Sequence, residues 1–168
     1  MMNDSLKITL ENALTEKFPS AEFNYSADEP TVVVPAQEIH ECIQLLKTND
    51  ALCFNYLTLL GAVHYPDRPN AELCMVYHLH SWKHNQRIRV KANLSIESPE
   101  IDSITDLFTG ANWLERETYD FFGVKFNKHP NLKRILNEES MDYFPMLKEY
   151  HLEDDTREDK DDRFFGRF

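Results

Sequence analysis

Apolar positions recur along the chain with two different spacings. Leu6, Leu10, Leu14 and Phe18 fall four residues apart and predict a helix over 6–18. Phe23 and Tyr25 alternate with polar neighbours, and Thr31–Val34 is a β-branched run that stops at Pro35; together they read as a hairpin. Ile39, Cys42, Ile43 and Leu46 mark one face of a second helix within 36–47. The apolar run 52–65 reads as an irregular start followed by a strand, and 66–71 as a loop.

Two alternating stretches follow. Over 72–80, Leu73, Met75, Tyr77 and Leu79 share one face, with Cys74, Val76, His78 and His80 on the other. Over 86–96, Ile88, Val90, Ala92, Leu94 and Ile96 share a face, and residues 81–85 fit a hairpin loop. Ser103 offers a cap for a turn over 104–108. A third helix is expected over 111–122, with Gly123 at the position favoured after a helix end. The stretch 124–126 is too short to assign. Beyond it, prolines at 130 and 145 and aromatic residues without period give a segment unable to bury much surface on itself. The expected fold is therefore α+β: one small mixed domain over 1–126, its sheet built from hairpins and flanked by about three helices, followed by an extended C-terminal tail over 127–168.

Composition narrows the function. At 168 residues the chain is one ordinary domain. Eighteen Lys and Arg against 29 Asp and Glu leave a net charge of −11, spread along the sequence without strong segregation. Nucleic-acid binding is a poor fit, because phosphate neutralisation needs a basic surplus. No stretch approaches the ~20 apolar residues of a spanning helix, and the first residues lack a basic then apolar leader pattern. An acidic chain acting inside the cell is expected. Its three cysteines, Cys42, Cys53 and Cys74, include no C-x-x-C pair and suit no disulfide framework or self-contained iron–sulfur site. Its four glycines are too scattered for a phosphate loop.

Three clusters could carry chemistry. Cys74, His78, His80 and His84 are acceptable zinc ligands, but their spacing matches no closed site; polar-face histidines are the plainer reading. On the third helix, Trp113, Glu117 and Phe121 project onto one stripe, so Glu117 is expected to be at least partly buried and to accept hydrogen bonds. Arg116 and Asp120, four residues apart, are expected to pair along the helix. Carboxylates such as Glu115, Glu117 and Asp120 can serve as general acid and base, yet no nucleophile or metal set accompanies them. Finally, His129-Pro130-Asn131-Leu132-Lys133-Arg134-Ile135-Leu136 puts cations beside aliphatics, either as a solvated turn or as an interface in which Arg134 meets a partner's carboxylate.

At these residues the chain resembles a known family. Glu115-Arg116-Glu117, Asp120-Phe121-Phe122, His129, Lys133 and Ile135-Leu136 are similar in identity and spacing to the signature of the C-type subunit of the proton-pumping NADH:quinone oxidoreductase, respiratory complex I. Tyr77-His78-Leu79-x-Ser81, Ile104 to Leu107 and Ala111-x-Trp113-Leu114 extend the likeness, which runs from about Pro35 to Tyr150. Where relatives commonly read Trp-Glu-Gly-x-Pro-Leu-Arg-Lys-Asp-Tyr, this chain has residues 141–150 and keeps only Pro145, Lys148 and Tyr150. His64 stands where many relatives carry Asp.

The resemblance implies a non-catalytic structural and assembly role in the peripheral arm, near the quinone-reducing module. It places FMN, iron–sulfur clusters, NADH and quinone on other subunits. The implied partners are chiefly the D-type quinone-site subunit, with B- and I-type neighbours. Membrane contact would come only through the complex, on the cytoplasmic side of the inner (plasma) membrane. Trp113, Pro130, Lys133, Pro145, Lys148 and Tyr150 join the charged motif residues as the implied interface, with the tail wrapping the D-type subunit. Alternatives are the equivalent member of a related membrane-bound hydrogenase-type complex, a metal-dependent enzyme built on Cys74 and the histidines, and a free-standing interaction module.

Overall fold

The computed structural model describes residues 4–25 and 29–150. Helix α1 (Asp4–Lys17) precedes the hairpin β1 (Glu22–Tyr25) and β2 (Pro30–Val33), and a short 3-10 turn (Ala36–Glu38) leads into α2 (Ile39–Thr48). Strands β3 (Tyr56–His64), β4 (Leu73–Ser81) and β5 (Gln86–Leu94) follow, then β6 (Glu100–Asp102), α3 (Ala111–Phe122) and β7 (Lys125–Asn127). The fold is α+β, as expected. Among the described residues, no helix is long and apolar enough to cross a membrane.

Five strands form one sheet in the order β1-β2-β5-β4-β3. All neighbours are antiparallel except β2 and β5, which run parallel. The β4–β5 register places Leu73 opposite Leu94, Met75 opposite Ala92, Tyr77 opposite Val90 and Leu79 opposite Ile88. These residues are buried, in one cluster with Leu10 and Leu14 of α1 and Ile39, Ile43 and Leu46 of α2. Period-two strands and period-3.6 helices thus meet on one face of the sheet.

The second, two-stranded sheet has no counterpart in the sequence pattern. Strands β6 and β7 pair in parallel, Ile101 beside Phe126. Parallel neighbours need a crossover of about a dozen residues or more, and α3 supplies it. At three residues each, the strands are too short to show periodicity. Gly123, with φ 77°, ends α3 in the left-handed conformation and donates its N–H to the Tyr119 carbonyl.

Residues 128–150 contain no helix or strand. They nevertheless lie against this chain. Leu147 is buried, Leu132 and Phe144 pack on the core, and the Met146 N–H donates to the Phe121 carbonyl at 3.1 Å. The part of the expected tail beyond Tyr150 lies outside the described residues.

Candidate functional site

The motif residues gather around α3, whose phase differs from the expected one. Its buried positions are Ala111, Glu115, Thr118 and Asp120. Trp113 is 59% exposed, while Glu117 and Phe121 on the same stripe are half-buried. No hydrogen-bond donor reaches Glu117 among the described residues. Apolar periodicity placed the helix over the right residues but rotated its face, because the buried side carries two carboxylates.

Glu115 lies in the N-terminal half of α3, wholly buried. Its Oε1 accepts the Ile104 N–H at 2.8 Å and its Oε2 accepts the Ser103 hydroxyl at 2.7 Å. The Ser103 Oγ also accepts the Thr105 N–H at 3.2 Å, as the expected cap of the turn that follows. Among the described residues, no cation bonds directly to Glu115. Burial pushes its carboxyl up to about 7, against the lowering effect of those two hydrogen bonds. The wholly buried Tyr77, whose hydroxyl meets no hydrogen-bond partner among the described residues, feels the same carboxylate.

Asp120 is also wholly buried, and its surroundings are the opposite. The backbone N–H groups of Ile135, Leu136 and Asn137 converge on its Oδ2 at 3.0, 2.7 and 2.9 Å. Arg134 and the Asn137 amide donate to Oδ1 at 2.8 and 3.1 Å. Burial alone would raise this carboxyl. The N–H groups of Asn137 and Leu136, the Arg134 guanidinium and the Ile135 N–H outweigh it and hold the group well below the usual carboxylate range.

Arg134 is therefore not a free hook for a partner, and the expected Arg116–Asp120 pair does not form. Arg134 spends its other donors on the carbonyls of Asp120, Met141 and Tyr143, and its guanidinium stacks over Phe144 at 5.0 Å. Arg116 instead reaches the Lys133 and Arg134 carbonyls at 3.1 and 3.0 Å and lies 5.2 Å from the Trp113 ring. His129 bridges two backbone groups: its Nε2–H donates to the Asn112 carbonyl at 3.2 Å, and its Nδ1 accepts the Asn131 N–H at 3.0 Å. Burial and the nearby Arg116 lower its pKa, which suits that neutral tautomer. Pro130 and Lys133 are exposed, Pro145 half-buried.

Three contacts were not foreseen from the sequence. Phe144 covers Gly123 so closely that a Cβ there would lie 2.6 Å from the ring. The ring also meets Tyr119 edge-on, 6.0 Å between centroids. At the end of β3, the buried His64 accepts the Lys148 N–H on Nδ1 at 2.9 Å, a role the Asp of relatives could equally fill. Lys148 and Tyr150 themselves are exposed. Residues 134–148 thus form a strap clasped to the domain through Asp120, Gly123 and His64.

The candidate metal cluster is not brought together. His78 donates from Nδ1 to Glu29 at 2.9 Å and accepts from Arg89 at 3.4 Å. His80 meets Trp82 edge-on at 4.8 Å, and the Cys74 thiol lies against the Met75 carbonyl. Among the described residues, no group of three or more His, Cys, Asp or Glu could hold a metal ion.

Residues 32–156 match the family model described as the respiratory-chain NADH dehydrogenase 30 Kd subunit. The C-type subunit of NADH-quinone oxidoreductase from Moorella thermoacetica is 41% identical over 140 residues, covering 83% of this chain and 92% of that protein. The mitochondrial NADH dehydrogenase [ubiquinone] iron-sulfur protein 3 of Candida albicans is 43% identical over 129 residues, 77% of this chain, and the match spans 46% of its length. Among solved structures, a trypsin-resistant fragment (1–134) of Nqo5 superposes with a TM-score of 0.61 at 31% identity, covering 76% of this chain and 98% of that one. A chain of an archaeal membrane-bound sulfane sulfur reductase shares the fold, with a TM-score of 0.73 at 23% identity over 89% of this chain and 87% of that one.

Proposed function

Because the chain belongs to the respiratory-chain NADH dehydrogenase 30 kDa subunit family, we propose that it works as a structural and assembly subunit of NADH:quinone oxidoreductase. In this reading it has no catalytic residue of its own. FMN, iron–sulfur clusters, NADH and quinone reside on neighbouring subunits. It sits in the peripheral arm on the cytoplasmic side of the membrane, against the D-type subunit and near the B- and I-type ones.

One observation supports this most. The strap is held from beneath by Asp120, while Leu136, Tyr143 and Met146 stay exposed on its outer side and Tyr150 is exposed just beyond it. A row of solvent-facing apolar side chains on a backbone ordered from within suits burial by a partner. Two of the carboxylates that looked like acid–base candidates, Glu115 and Asp120, are the internal fastenings of α3, which favours scaffolding over catalysis.

Leu136→Asp with Met146→Asp tests the reading. Both side chains are exposed, so the purified chain should keep its melting temperature. Co-purification of the D-type subunit and NADH:quinone activity of membranes should fall by at least about tenfold. Wild-type assembly and turnover would refute the proposal.

A further inference from the structure

The outer face of the five-stranded sheet takes no part in the clasp. Strand pairing sets Tyr56 opposite His80, Leu59 opposite His78, Gly61 opposite Val76 and Val63 opposite Cys74. These residues therefore point away from the main core, although Cys74 and His80 are themselves buried. Tyr56 is 48% exposed, Leu59 50%, Val63 38% and Trp82 67%. Tyr56 and Trp82 rest on one another, 5.7 Å between ring centroids. A Cβ on Gly61 would meet nothing within 4 Å among the described residues, so none of them covers the middle of this face.

The charge around it departs from that of the whole chain. Between Glu72 and Glu97 the sequence holds Lys83, Arg87, Arg89 and Lys91 and no acidic residue, although the chain carries −11 overall. The expected even spread of charge along the sequence therefore does not hold over this stretch. Arg87, Arg89 and Lys91 alternate along β5 on the outer side. Lys83 follows Trp82 in the hairpin, its Nζ donating to the Asp50 carbonyl at 2.6 Å, with no acidic side-chain partner among the described residues. Arg89 is engaged by Glu29 and His78; the Arg87 side chain stays largely exposed, 3.8 Å from Glu29.

We propose that this face is a second docking surface, taking an acidic segment of a neighbouring protein subunit with an aliphatic or aromatic side chain at its centre. The apolar residues of β3 and Trp82 would cover that side chain, and Arg87 and Lys83 at the rim would meet its carboxylates. A nucleic acid or anionic bilayer fits less well. Either would present a large field of negative charge to a strongly acidic protein, and the Glu29 carboxylate sits among the cations. A single acidic segment needs only the local surplus. The proposal rests on the reading of the chain as a complex subunit and adds a contact to it.

The test places a photo-crosslinking residue at Leu59 and, separately, at Leu136 in the tagged chain within the assembled membrane complex. From Leu59 the expected product is one adduct with a single other subunit, mapping to an acidic peptide. Arg87→Glu with Lys83→Glu should reduce that adduct by about tenfold while the Leu136 adduct persists. Persistence of the Leu59 adduct in the charge-reversed chain would overturn the proposal. So would a Leu59 adduct to a second copy of this chain, to lipid or to nucleic acid, or no adduct at all, with the Leu136 adduct intact. If neither position crosslinks to another subunit, the complex-subunit reading falls as well.

Discussion

Two carboxylates on one helix, five positions apart and equally hidden from solvent, are held in opposite states. Glu115 receives two donors, neither of them charged, and its carboxyl is raised to about 7. Asp120 receives three backbone N–H groups, an amide and a guanidinium, and is held ionised far below the usual range. Neither side chain is exposed, but Glu115 lies deeper in the fold, so its burial penalty prevails, while the number and charge of the donors around Asp120 reverse it. Glu115 ties α3 to the turn before it, in a contact that tolerates a proton. Asp120 ties α3 to the strap after it, in a contact that depends on a full negative charge.

The largest expected effect comes from removing that charge. Asp120→Ala leaves Arg134 buried and unpaired, and should cost about 3–5 kcal/mol in urea unfolding of the purified chain. Arg134→Met in the same chain should recover part of the loss. A cost below about 1 kcal/mol would mean that the clasp is ornamental.

A smaller effect is expected at Glu115, and its sign is opposite in pH. Its folded-state pKa is raised, so its contribution to stability is complete below about 4.5 and declines as pH rises to about 7. The whole decline is at most roughly 3.5 kcal/mol, at ~1.4 kcal/mol per unit. Glu115→Gln keeps an acceptor for Ile104 and cannot ionise, so its melting temperature should vary less between pH 5 and pH 8 (roughly the window set by the two pKa values). An unchanged pH profile would show that another group controls this range; Asp106 and His40 face the same carboxylate.

The smallest effect is local. His64→Ala should speed hydrogen exchange of the Lys148 amide, with a cost of about 1 kcal/mol for the lost hydrogen bond. His64→Asp should preserve the protection. If Ala and Asp behave alike, the β3 latch contributes nothing to the strap.

How much of this was legible in the sequence depends on range. Helices α1 and α2 and strands β4 and β5 announce themselves because each buries a periodic apolar face within about a dozen residues. Gly123 signals the end of α3 for a local steric reason. The phase of α3 was hidden, since its buried face is built on Glu115 and Asp120 rather than on leucines. The clasp was hidden too. Arg134 reads as a surface cation until folding delivers it to a carboxylate fourteen positions earlier. Lys148 and His64 are separated by 84 positions, and nothing local marks either. The motif spacing drew attention to Arg134 as a contact for an external partner, where the fold gives it an internal one in Asp120.

The convergence of three successive N–H groups, from Ile135 to Asn137, has a consequence outside this chain. Such a concavity is an anion receptor, of the kind that elsewhere cradles phosphate. Here the receptor is filled by a tethered carboxylate, which makes the strap's closure an intramolecular binding event. Its effective concentration is set by the fourteen-residue tether between Asp120 and Arg134, in the millimolar range typical of short links. A small free anion offered to a chain lacking the Asp120 carboxylate would have to reach comparable concentrations to take its place.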